Sequence, residues 1–417
     1  MERYDSYKDS DVKWLGEIPS HWTTPRINQI GRYINGYAFK PKDWSDNGKQ
    51  IIRIQDLTGS NDNPNYFKGT LDPKYIVKRG DVLVSWAATL DAYIWDKEEG
   101  WVNQHIFKAI PHNTIDKKFF LWLLKVAMEN LNNDNKHGIM MQHLTAVVFN
   151  HFRIPLPPIN EQEIIANYLD SATSKINAAI AQQQKMIDLL NERKQIIINN
   201  AVTKGLDSDV SMKDSGIEWI GQIPKHWRLN RLKTFLSIKD KRNFDAMATL
   251  LSVYTAIGVK PRAELEEKGN KASTVLNYKI VNKGDLIVNR LLAWMGAYGI
   301  SNYDGVTSPD YDVYSFKEGY HKDFYEIMFR NTNFKSDCYK YGHGIMMMRW
   351  RTYPSEFLNI LVPIPPYEEQ KKIYDFLLPQ IEKMNEGIAK CNNLISLLQE
   401  RKQIIINDVV TGKVKVV

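Results

Sequence analysis

The chain has 417 residues, of which 43% are hydrophobic and 25% charged, so length and composition predict two or three folded domains and exclude a largely disordered protein. The formal net charge of +7 is compatible with a nucleic-acid partner without establishing one. Only two cysteines occur, and no apolar run is long enough for a signal sequence or a membrane span, so we exclude a disulfide-based secreted protein and expect a soluble, cytoplasmic one.

The first element along the chain is a short motif that occurs twice. Trp14–Trp22 reads WLGEIPSHW, and Trp219–Trp227 reads WIGQIPKHW. A second repeated block lies downstream of each motif, LLNERKQIIINN at Leu189–Asn200 and LLQERKQIIIND at Leu397–Asp408. The sequence between motif and block is much less alike in the two copies. A duplicated frame around divergent segments predicts two half-molecules that do one job on two different targets.

The repeats divide the chain into five parts. We predict mixed, strand-rich domains at residues 1–158 and 214–366, a long helix at residues 159–204, a linker at residues 205–213, and a second long helix with a short tail at residues 367–417. The predicted fold class is therefore α+β.

In the first domain, Gln50–Leu57 (QIIRIQDL) is predicted to be a strand from which Arg53 and Gln55 alternate outward. The segment RGDVLVSW is predicted to be a turn followed by an apolar strand that ends at Trp86. Arginine matches guanine and glutamine matches adenine in hydrogen-bonding geometry, so these strands supply candidate DNA contacts.

The first long helix follows three closely spaced prolines that end at Pro158, and Asn160 is predicted to cap it. Apolar residues then alternate four and three apart from Ile165 to Leu190, and this series includes Met186. Such spacing is typical of a coiled coil.

In the second domain, the segment KGDLIVNR is predicted to be the equivalent of the strand that ends at Trp86, but it ends with Asn289 and Arg290. Different side chains at equivalent positions are what two different DNA sequences would require. Lys241 and Arg242 belong to the run KDKRN, which is more often a solvated turn than a DNA contact.

The second long helix repeats the coiled-coil spacing from Ile373 to Leu398, and its series includes Leu394. A helix of this length needs a partner, and the simplest one is the other long helix, packed antiparallel with pseudo-twofold symmetry. The alternative is that each helix packs only on its own domain.

A glycine-containing loop precedes each long helix, HGIMMQHL in the first copy and HGIMMMRW in the second. Adjacent cations would let such loops contact phosphates. Alternatively, the methionines belong to the core and the loops only connect, and the sequence favours neither interpretation. The candidate DNA contacts in and beside these loops are Lys136, His137, Gln142, His343, Arg349 and Arg351.

No sequence pattern indicates a catalytic site. A GxxxxGK[ST] loop is absent, Gly342–Gly344 lacks the third glycine of a dinucleotide fingerprint, and the histidines show no metal-ligand spacing. The segment IPPY that begins at Ile364 resembles the NPPY motif of amino-methyltransferases, but isoleucine replaces its asparagine. We therefore expect no catalytic residue, cofactor or metal in this chain.

Together these features resemble the specificity subunit of a type I restriction–modification system, over essentially the whole chain. The resemblance is carried by the two W(L/I)G(E/Q)IP.HW motifs, by the helix entrances IPLPPINEQ and VPIPPYEEQ, and by the ERKQIII blocks. GYAFK at Gly36, followed by IIRIQDL, is similar to the start of that family's target recognition domains. Asn103–Ile106 and Thr307–Tyr311 also resemble segments of such domains, which adds Gln104, His105 and Tyr311 to the candidates.

The resemblance implies a non-catalytic subunit with two target recognition domains, each of which reads one half of a split, asymmetric double-stranded DNA sequence, with the long helices as spacers. It also implies two methyltransferase subunits and restriction–translocase subunits as partners, which carry S-adenosylmethionine, ATP and Mg²⁺. The ERKQIII blocks are candidates for contact with these partners or for pairing of the helices. The residues in question are Glu192, Arg193, Lys194, Glu400, Arg401 and Lys402.

Two other hypotheses fit parts of the sequence. The chain could be a coiled-coil adaptor without sequence-specific DNA binding, or an autonomous DNA-modifying enzyme with an unrecognised site. Sequence-specific protection of DNA by an assembled complex would argue against the adaptor. Inactivity of the isolated chain would argue against the enzyme.

Overall fold

The computed structural model describes residues 2–61, 63–136, 146–255, 257–264, 274–344 and 350–416. It divides into two compact units. Unit 1 comprises Met1–Gln183 and Asn393–Val417, and unit 2 comprises Gln184–Asn392. Each long helix therefore contributes residues to both units.

The elements up to the first long helix are mostly short strands. In chain order they are β1 (Tyr7–Asp9), β2 (Glu17–Pro19), β3 (Gly31–Asn35), β4 (Lys49–Ile52), α1 (Ile54–Thr58), β5 (Tyr66–Phe67), β6 (Ile76–Val77), β7 (Val82–Ser85), β8 (Asp91–Ile94), β9 (Gly100–Val102), β10 (Ile106–Pro111), α2 (Lys117–Lys136), α3 (Ala146–His151) and α4 (Ile159–Lys204). All four residues of β7, VLVS, are buried, as expected for a central strand covered on both faces.

The remaining elements follow a similar order. They are β11 (Met212–Asp214), β12 (Gln222–Pro224), β13 (Arg228–Arg231), β14 (Leu236–Ile238), β15 (Leu251–Tyr254), β16 (Gly258–Pro261), β17 (Lys279–Val281), β18 (Leu286–Asn289), β19 (Tyr298–Ile300), β20 (Gly305–Thr307), β21 (Tyr311–Phe316), α5 (Lys322–Phe329), α6 (Thr332–Tyr341), α7 (Pro354–Phe357), β22 (Leu361–Ile364) and α8 (Tyr367–Val410).

A four-stranded antiparallel sheet recurs in both units. Its order is β3-β10-β7-β8 in unit 1 and β14-β21-β18-β19 in unit 2. Unit 1 has a second sheet, β5-β4-β9-β6, in which β4 and β9 run parallel. Unit 2 instead has separate two-stranded pairs, including β15-β16 and β17-β20. The shared order makes residues at the same register directly comparable.

The α+β class is confirmed, and so are the strands predicted within RGDVLVSW and KGDLIVNR, which are β7 and β18. The strand predicted over Gln50–Leu57 is wrong in its second half, because β4 ends at Ile52 and α1 follows. The Asp56 carboxylate accepts a hydrogen bond from the Arg53 backbone N–H at 2.8 Å, which stabilises the start of a helix. Arg53 and Gln55 therefore do not alternate along one strand.

The two predicted long helices are present as α4 and α8. Helix α4 begins at Ile159, so Asn160 lies inside it rather than at the predicted cap. The Pro158 carbonyl accepts the backbone N–H of Gln162 and thus starts the helical hydrogen bonds. The coiled-coil assignment is wrong at Met186 and Leu394, which are 46% and 42% exposed.

Each unit builds its core from one end of each long helix. The core of unit 1 includes Ile165 and Leu169 from the start of α4, and it also includes Val409 and Val410 from the end of α8. The core of unit 2 includes residues from the other two ends. These are Ile198, Ala201 and Val202 of α4, and Ile373 and Leu377 of α8. Burial of these apolar side chains anchors both ends of both helices.

The long helices also contact each other inside each unit. In unit 1, the Lys402 side chain donates to Asn177 Oδ1 at 2.9 Å. In unit 2, the Lys194 side chain donates to Asn385 Oδ1 at 3.0 Å. Lys402 and Lys194 are the same residue of the two ERKQIII blocks. Burial lowers the pKa of both ammonium groups.

The repeated HW motif joins each domain to a long helix. In unit 1, Trp22 Nε1 donates to Glu161 Oε2 at 3.0 Å, and His21 Nε2 lies 2.6 Å from Glu161 Oε1. In unit 2, Trp227 Nε1 and His226 Nε2 make the same contacts with Glu369. These distances are 2.7 and 2.6 Å. The motif therefore holds the first turn of α4 and of α8 through the same contacts.

The glutamine of each helix entrance makes a second joint. Gln162 is buried, accepts from the Asp116 N–H at 2.9 Å and donates to the Pro157 carbonyl at 2.9 Å. Gln370 makes the equivalent contacts with His321 and Pro365, both at 2.8 Å. A buried amide with both ends satisfied holds the proline segment against the following helix. The most recognisable motifs are therefore structural.

Candidate nucleic-acid interface

An aromatic cluster lies at one end of the four-stranded sheet of unit 1, where β7 ends and β10 begins. The Trp86 ring stacks on Phe107 with centroids 5.9 Å apart and meets His105 edge-on at 5.4 Å. Trp86 Nε1 donates to Asn35 Oδ1 at 3.3 Å. Asn35 ends β3, which pairs with β10. Three strand ends thus place one indole at the edge of the sheet.

The turn before β10 completes this aromatic cluster. The Gln104 backbone N–H donates to the Tyr37 carbonyl at 2.9 Å, and the Gln104 side chain lies 3.3 Å from His105 Nε2. Tyr37 in turn packs against the Tyr75 ring with centroids 5.7 Å apart. The structure therefore brings the predicted residues Trp86, Gln104 and His105 together.

Arg53 and Gln55 lie just after β4 of the other sheet of unit 1. Arg53 Nη1 donates to Asn65 Oδ1 at 2.8 Å, and its guanidinium lies 5.6 Å from the centroid of the Trp44 ring. Gln55 is exposed on α1. A cation held against a half-exposed indole is a surface suited to stacking on a base.

The corresponding end of the sheet in unit 2 is built from charged residues. Arg290 follows β18, and its Nε and Nη2 donate to the two carboxylate oxygens of Asp312 at 2.7 and 2.5 Å. The Asp312 side chain is only 2% exposed, whereas that of Arg290 is 29% exposed. The hydrogen bond to Asp312 raises the pKa of the guanidinium. A buried carboxylate therefore orients an arginine that reaches the surface.

Asp312 also belongs to a longer chain of ion pairs, here called the ion chain. Lys279 Nζ lies 3.2 Å from Asp312 and 3.8 Å from Asp240, and Asp240 lies 2.8 Å from Arg242. The Lys279 side chain is nearly fully buried. The ion chain contains three cations and two carboxylates, so it leaves one excess positive charge at this end of the sheet.

The remaining candidates of unit 2 lie close to the ion chain but differ in role. The Asn289 side chain is buried and accepts the Leu291 backbone N–H at 3.0 Å, so it shapes the turn after β18. Tyr311 begins β21 and packs on a small apolar cluster. Lys241 is exposed, next to Arg242.

His343 and Arg351 face each other through two backbone hydrogen bonds of 2.9 and 3.0 Å. The neighbouring Thr352 donates its backbone N–H to the Arg290 carbonyl at 3.0 Å. This places an exposed arginine, Arg351, beside the turn that carries Arg290. Lys136 is the last residue of α2. The predictions for His137, Gln142 and Arg349 fall outside the residues that the structure describes.

Strand pairing shows that the two sheet ends are equivalent position by position. Val84 of β7 pairs with Phe107, and the corresponding Val288 of β18 pairs with Asp312. Counting along the chain from these registers matches five residues at the sheet end of unit 1 to the five residues of the ion chain. The matched pairs are Asn35 with Asp240, Tyr37 with Arg242, Tyr75 with Lys279, Trp86 with Arg290, and Phe107 with Asp312.

Sequence reasoning missed Asp240, Lys279 and Asp312. A signal was present, because Asp312 and Lys279 interrupt the apolar strands YDVYSF and KIV. A charged residue in a buried strand requires a partner of opposite charge. Pairing these two residues would have located the ion chain.

Among the candidates on the ERKQIII blocks, the lysines differ from their neighbours. Lys194 and Lys402 bind the opposite long helix. The other four side chains, Glu192, Arg193, Glu400 and Arg401, are exposed.

In the described part of the chain, no group of His, Cys, Asp or Glu side chains is placed to hold a metal ion, and no helix is long and apolar enough to cross a membrane.

Comparison with known protein families gives a match at residues 19–187 to the type I restriction modification DNA specificity domain. The chain is 26% identical over 226 residues to the EcoBI specificity subunit of Escherichia coli, and this match spans 52% of the chain and 47% of that relative, about half its length. It is 25% identical over 450 residues to the MjaVIII specificity subunit of Methanocaldococcus jannaschii, covering 98% of the chain and 97% of that protein.

A solved chain from a structural study of complex assembly and conformational transition of the type I R-M system has the same fold. The TM-score is 0.69, and the alignment covers 95% of this chain and 99% of the other. The sequence identity is 14%, so this likeness concerns the fold alone.

Proposed function

This chain belongs to the specificity subunits of type I restriction–modification systems, and we propose that it reads a bipartite, asymmetric DNA target, one half with each unit. One observation carries the proposal. The two units share a sheet with the same strand order, yet matched positions at one sheet end carry aromatic residues in unit 1 and ions in unit 2. A common scaffold with two different polar surfaces suits two different base sequences.

In unit 1, the aromatic cluster and its polar neighbours are the proposed base-reading surface. The Gln104 amide is a matched partner for adenine, and an indole such as Trp86 contacts the thymine methyl or a base face. Tyr37, at 36% exposure, extends this surface. We expect this half-site to be read largely by shape and apolar contact.

In unit 2, Arg290 is the proposed central base contact. A guanidinium has five N–H donors, and the contact with Asp312 occupies two nitrogens, so donors remain for the acceptors of a guanine. Because Asp312 already holds the Arg290 guanidinium, little side-chain entropy is lost when Arg290 binds a base. Lys241 and Arg351 are exposed nearby and are proposed phosphate contacts.

The decisive experiment exchanges one recognition segment at a time. Replacing residues 23–154 with the corresponding segment of another specificity subunit should change one half of the methylated sequence and leave the other half as it was. Replacing residues 228–362 is the matched exchange and should change only the other half. Sequencing of methylated adenines in a host that carries the system measures both outcomes. A change in both halves from either exchange would contradict the division between units. Assembly without any sequence preference would favour the adaptor.

We further propose that α4 and α8 pair as an antiparallel coiled coil with pseudo-twofold symmetry. Support comes from the two helix–helix hydrogen bonds, because exchanging the helices converts Lys402–Asn177 into Lys194–Asn385. The position of Gly387 agrees, since a Cβ there would lie 3.2 Å from the Leu190 side chain. Close approach of this kind is typical of paired helices.

The exposed faces of the ERKQIII blocks are the proposed docking surfaces for two modification subunits. Leu189 and Ile196 are exposed one heptad apart on α4, and Leu397 and Ile404 repeat this pattern on α8. The charged side chains beside these apolar residues would form the polar rim of each docking surface. They are Glu192 and Arg193 on α4, and Glu400 and Arg401 on α8. Two equal surfaces on one chain would bind two copies of one partner.

This docking proposal has a stoichiometric test. Leu189→Ser with Ile196→Ser should leave one modification subunit on each chain, and Leu397→Ser with Ile404→Ser should have the same effect. Native mass spectrometry of the assembled complex counts the subunits. Two bound copies in either double variant would place the interface elsewhere. We propose that restriction–translocase subunits join this assembly in the cytoplasm, and that S-adenosylmethionine, ATP and Mg²⁺ are bound by the partners.

A further inference from the structure

The loop after β14 exposes two large apolar side chains. Phe244 is 82% exposed and Met247 is 90% exposed, more than any other large apolar residue in the described part of the chain. Exposed apolar side chains beside one another commonly mark a contact surface. The loop follows Asp240 and Arg242 of the ion chain, so it lies at the proposed DNA-reading end of unit 2.

The loop that exposes Phe244 and Met247 is held in place by hydrogen bonds. Asn243, which is buried, donates through Nδ2 to the carbonyls of Asp245 at 2.6 Å and Val275 at 3.1 Å. Its backbone N–H donates to the Tyr278 carbonyl, and the Asp245 carboxylate accepts the Met247 N–H, both at 2.8 Å. Because these bonds fix the loop, both apolar side chains are displayed before any partner binds.

The equivalent loop of unit 1 shows that this display is not required by the scaffold. Phe39 stands four residues after Asn35, as Phe244 stands four residues after Asp240. The Phe39 ring packs against Tyr37 at 5.0 Å and Phe67 at 5.4 Å between centroids. An aromatic residue is therefore partly covered at this position in unit 1 and almost fully exposed in unit 2.

The charges around the loop indicate what covers Phe244 and Met247. Lys241 is exposed three residues before Phe244, and Arg242, whose side chain is 36% exposed, lies at the base of the loop. Apolar side chains flanked by cations match a duplex, because phosphates pair with the cations while the apolar groups reach the stacked bases. Phenylalanine and methionine are among the residues that enter base steps in this way.

We propose that Phe244 and Met247 form an apolar wedge that enters a base step of the half-site bound by unit 2 and partly unstacks it. The inference rests on the proposed DNA-reading function and adds a deformation to it. Unit 2 would then also select its sequence by how readily that step opens, whereas unit 1 would leave its half-site stacked.

The test uses the full chain assembled with its modification subunits. Target duplexes, whose sequence comes from mapping methylated adenines, carry 2-aminopurine in place of one adenine at a time in either half-site. The adenines that are themselves methylated are left out, because the methyltransferase unstacks them itself. The variant is Phe244→Ala with Met247→Ala. Leu206→Ala, which removes another exposed apolar side chain of unit 2, is the control.

We expect fluorescence to rise at a position in the half-site of unit 2 with the original chain and with the control. In the double variant the rise should be lost, with affinity reduced by roughly tenfold because unstacking no longer secures the wedge contacts. A complex that selects its target without any such rise, or a double variant with the same rise, would overturn the wedge and leave DNA reading intact. Loss of assembly in the double variant would show a protein-docking loop instead. If the original complex does not distinguish target from other DNA, the proposed function itself fails.

Discussion

The two sheet ends differ in chemistry although their backbones correspond. Unit 1 places Trp86 on Phe107, ring against ring, where unit 2 places Arg290 on Asp312, charge against charge. The two aromatic rings stabilise each other by stacking, and the arginine and the carboxylate stabilise each other through a bidentate ion pair. One backbone can carry either pair, but an aromatic residue in place of Arg290 alone would leave the buried Asp312 carboxylate without that cation. We therefore expect position 290 to change together with its partner.

Removing the buried carboxylate from the ion chain should have the largest effect. Asp312→Asn keeps the shape but leaves the buried Lys279 with only the more distant Asp240, and we expect a loss of about 3–5 kcal/mol in the free energy of unfolding of unit 2. Hydrogen exchange measured by mass spectrometry should show lower protection in β18 and β21 and unchanged protection in β7 and β10. Asp310→Asn makes the same chemical change at an exposed site two residues away and is the control. An equal loss of stability and protection in the two variants would mean that the ion pairs of Asp312 do not stabilise unit 2.

The contacts of the HW motif with the first turn of each long helix are alike in the two units, except that the glutamate of unit 1 has one more hydrogen-bond donor. Glu161 receives a hydrogen bond from Tyr4 at 3.2 Å in addition to the contacts with His21 and Trp22. We therefore expect Trp227→Phe to destabilise unit 2 by about 1.5–3 kcal/mol, and Trp22→Phe to destabilise unit 1 by less, because hydrogen bonds to charged groups are strong and Tyr4 remains. Urea unfolding of the two variants gives the comparison. The variant Tyr4→Phe with Trp22→Phe should remove the difference.

The two proposed recognition surfaces should respond differently to salt. Arg290→Ala should relax one base position in the half-site of unit 2, at a cost of about 1–3 kcal/mol, and Trp86→Ala should relax the half-site of unit 1 by a similar amount. Only a loss of charge lowers the slope of log affinity against log salt, by about 1 for a phosphate-like contact. Competition binding with single-base changes at several salt concentrations separates these effects. A uniform loss over all sequences for Arg290→Ala would assign it to the phosphate backbone.

The long helices and the equivalence of Trp86 and Arg290 could be predicted from sequence, because periodicity, prolines and repeats are local signals. The partner of Arg290 could not, because Asp312 meets it only through the pairing of β18 with β21. Asn289 and Arg290 are adjacent, yet one closes a turn inside the fold and the other reaches the surface. Strand register decides whether such a side chain lies inside the fold or at the surface, and register is difficult to predict from local sequence.

The seam of the long helices shows a second limit. Heptad counting placed Met186 and Leu394 inside, but both are exposed, and Ile187 is buried. The two residues occupy the same position of the repeated segment, so both helices depart from strict spacing at one place. A straight helix has 3.6 residues per turn and drifts from a seven-residue repeat, which moves the buried stripe by one residue.

The smallest predicted effect concerns the helix contacts, where the units should agree rather than differ. Lys194→Met and Lys402→Met each remove one hydrogen bond to an asparagine of the opposite helix, and each should lower the free energy of unfolding by about 0.5–1.5 kcal/mol. Pseudo-twofold pairing requires the two losses to be equal within the error of urea unfolding. Lys383→Met, at an exposed position on α8, is the control and should change little. Unequal losses would mean that the two hydrogen bonds are not related by the symmetry, and the equal docking surfaces proposed for two partner copies would then lose their structural basis.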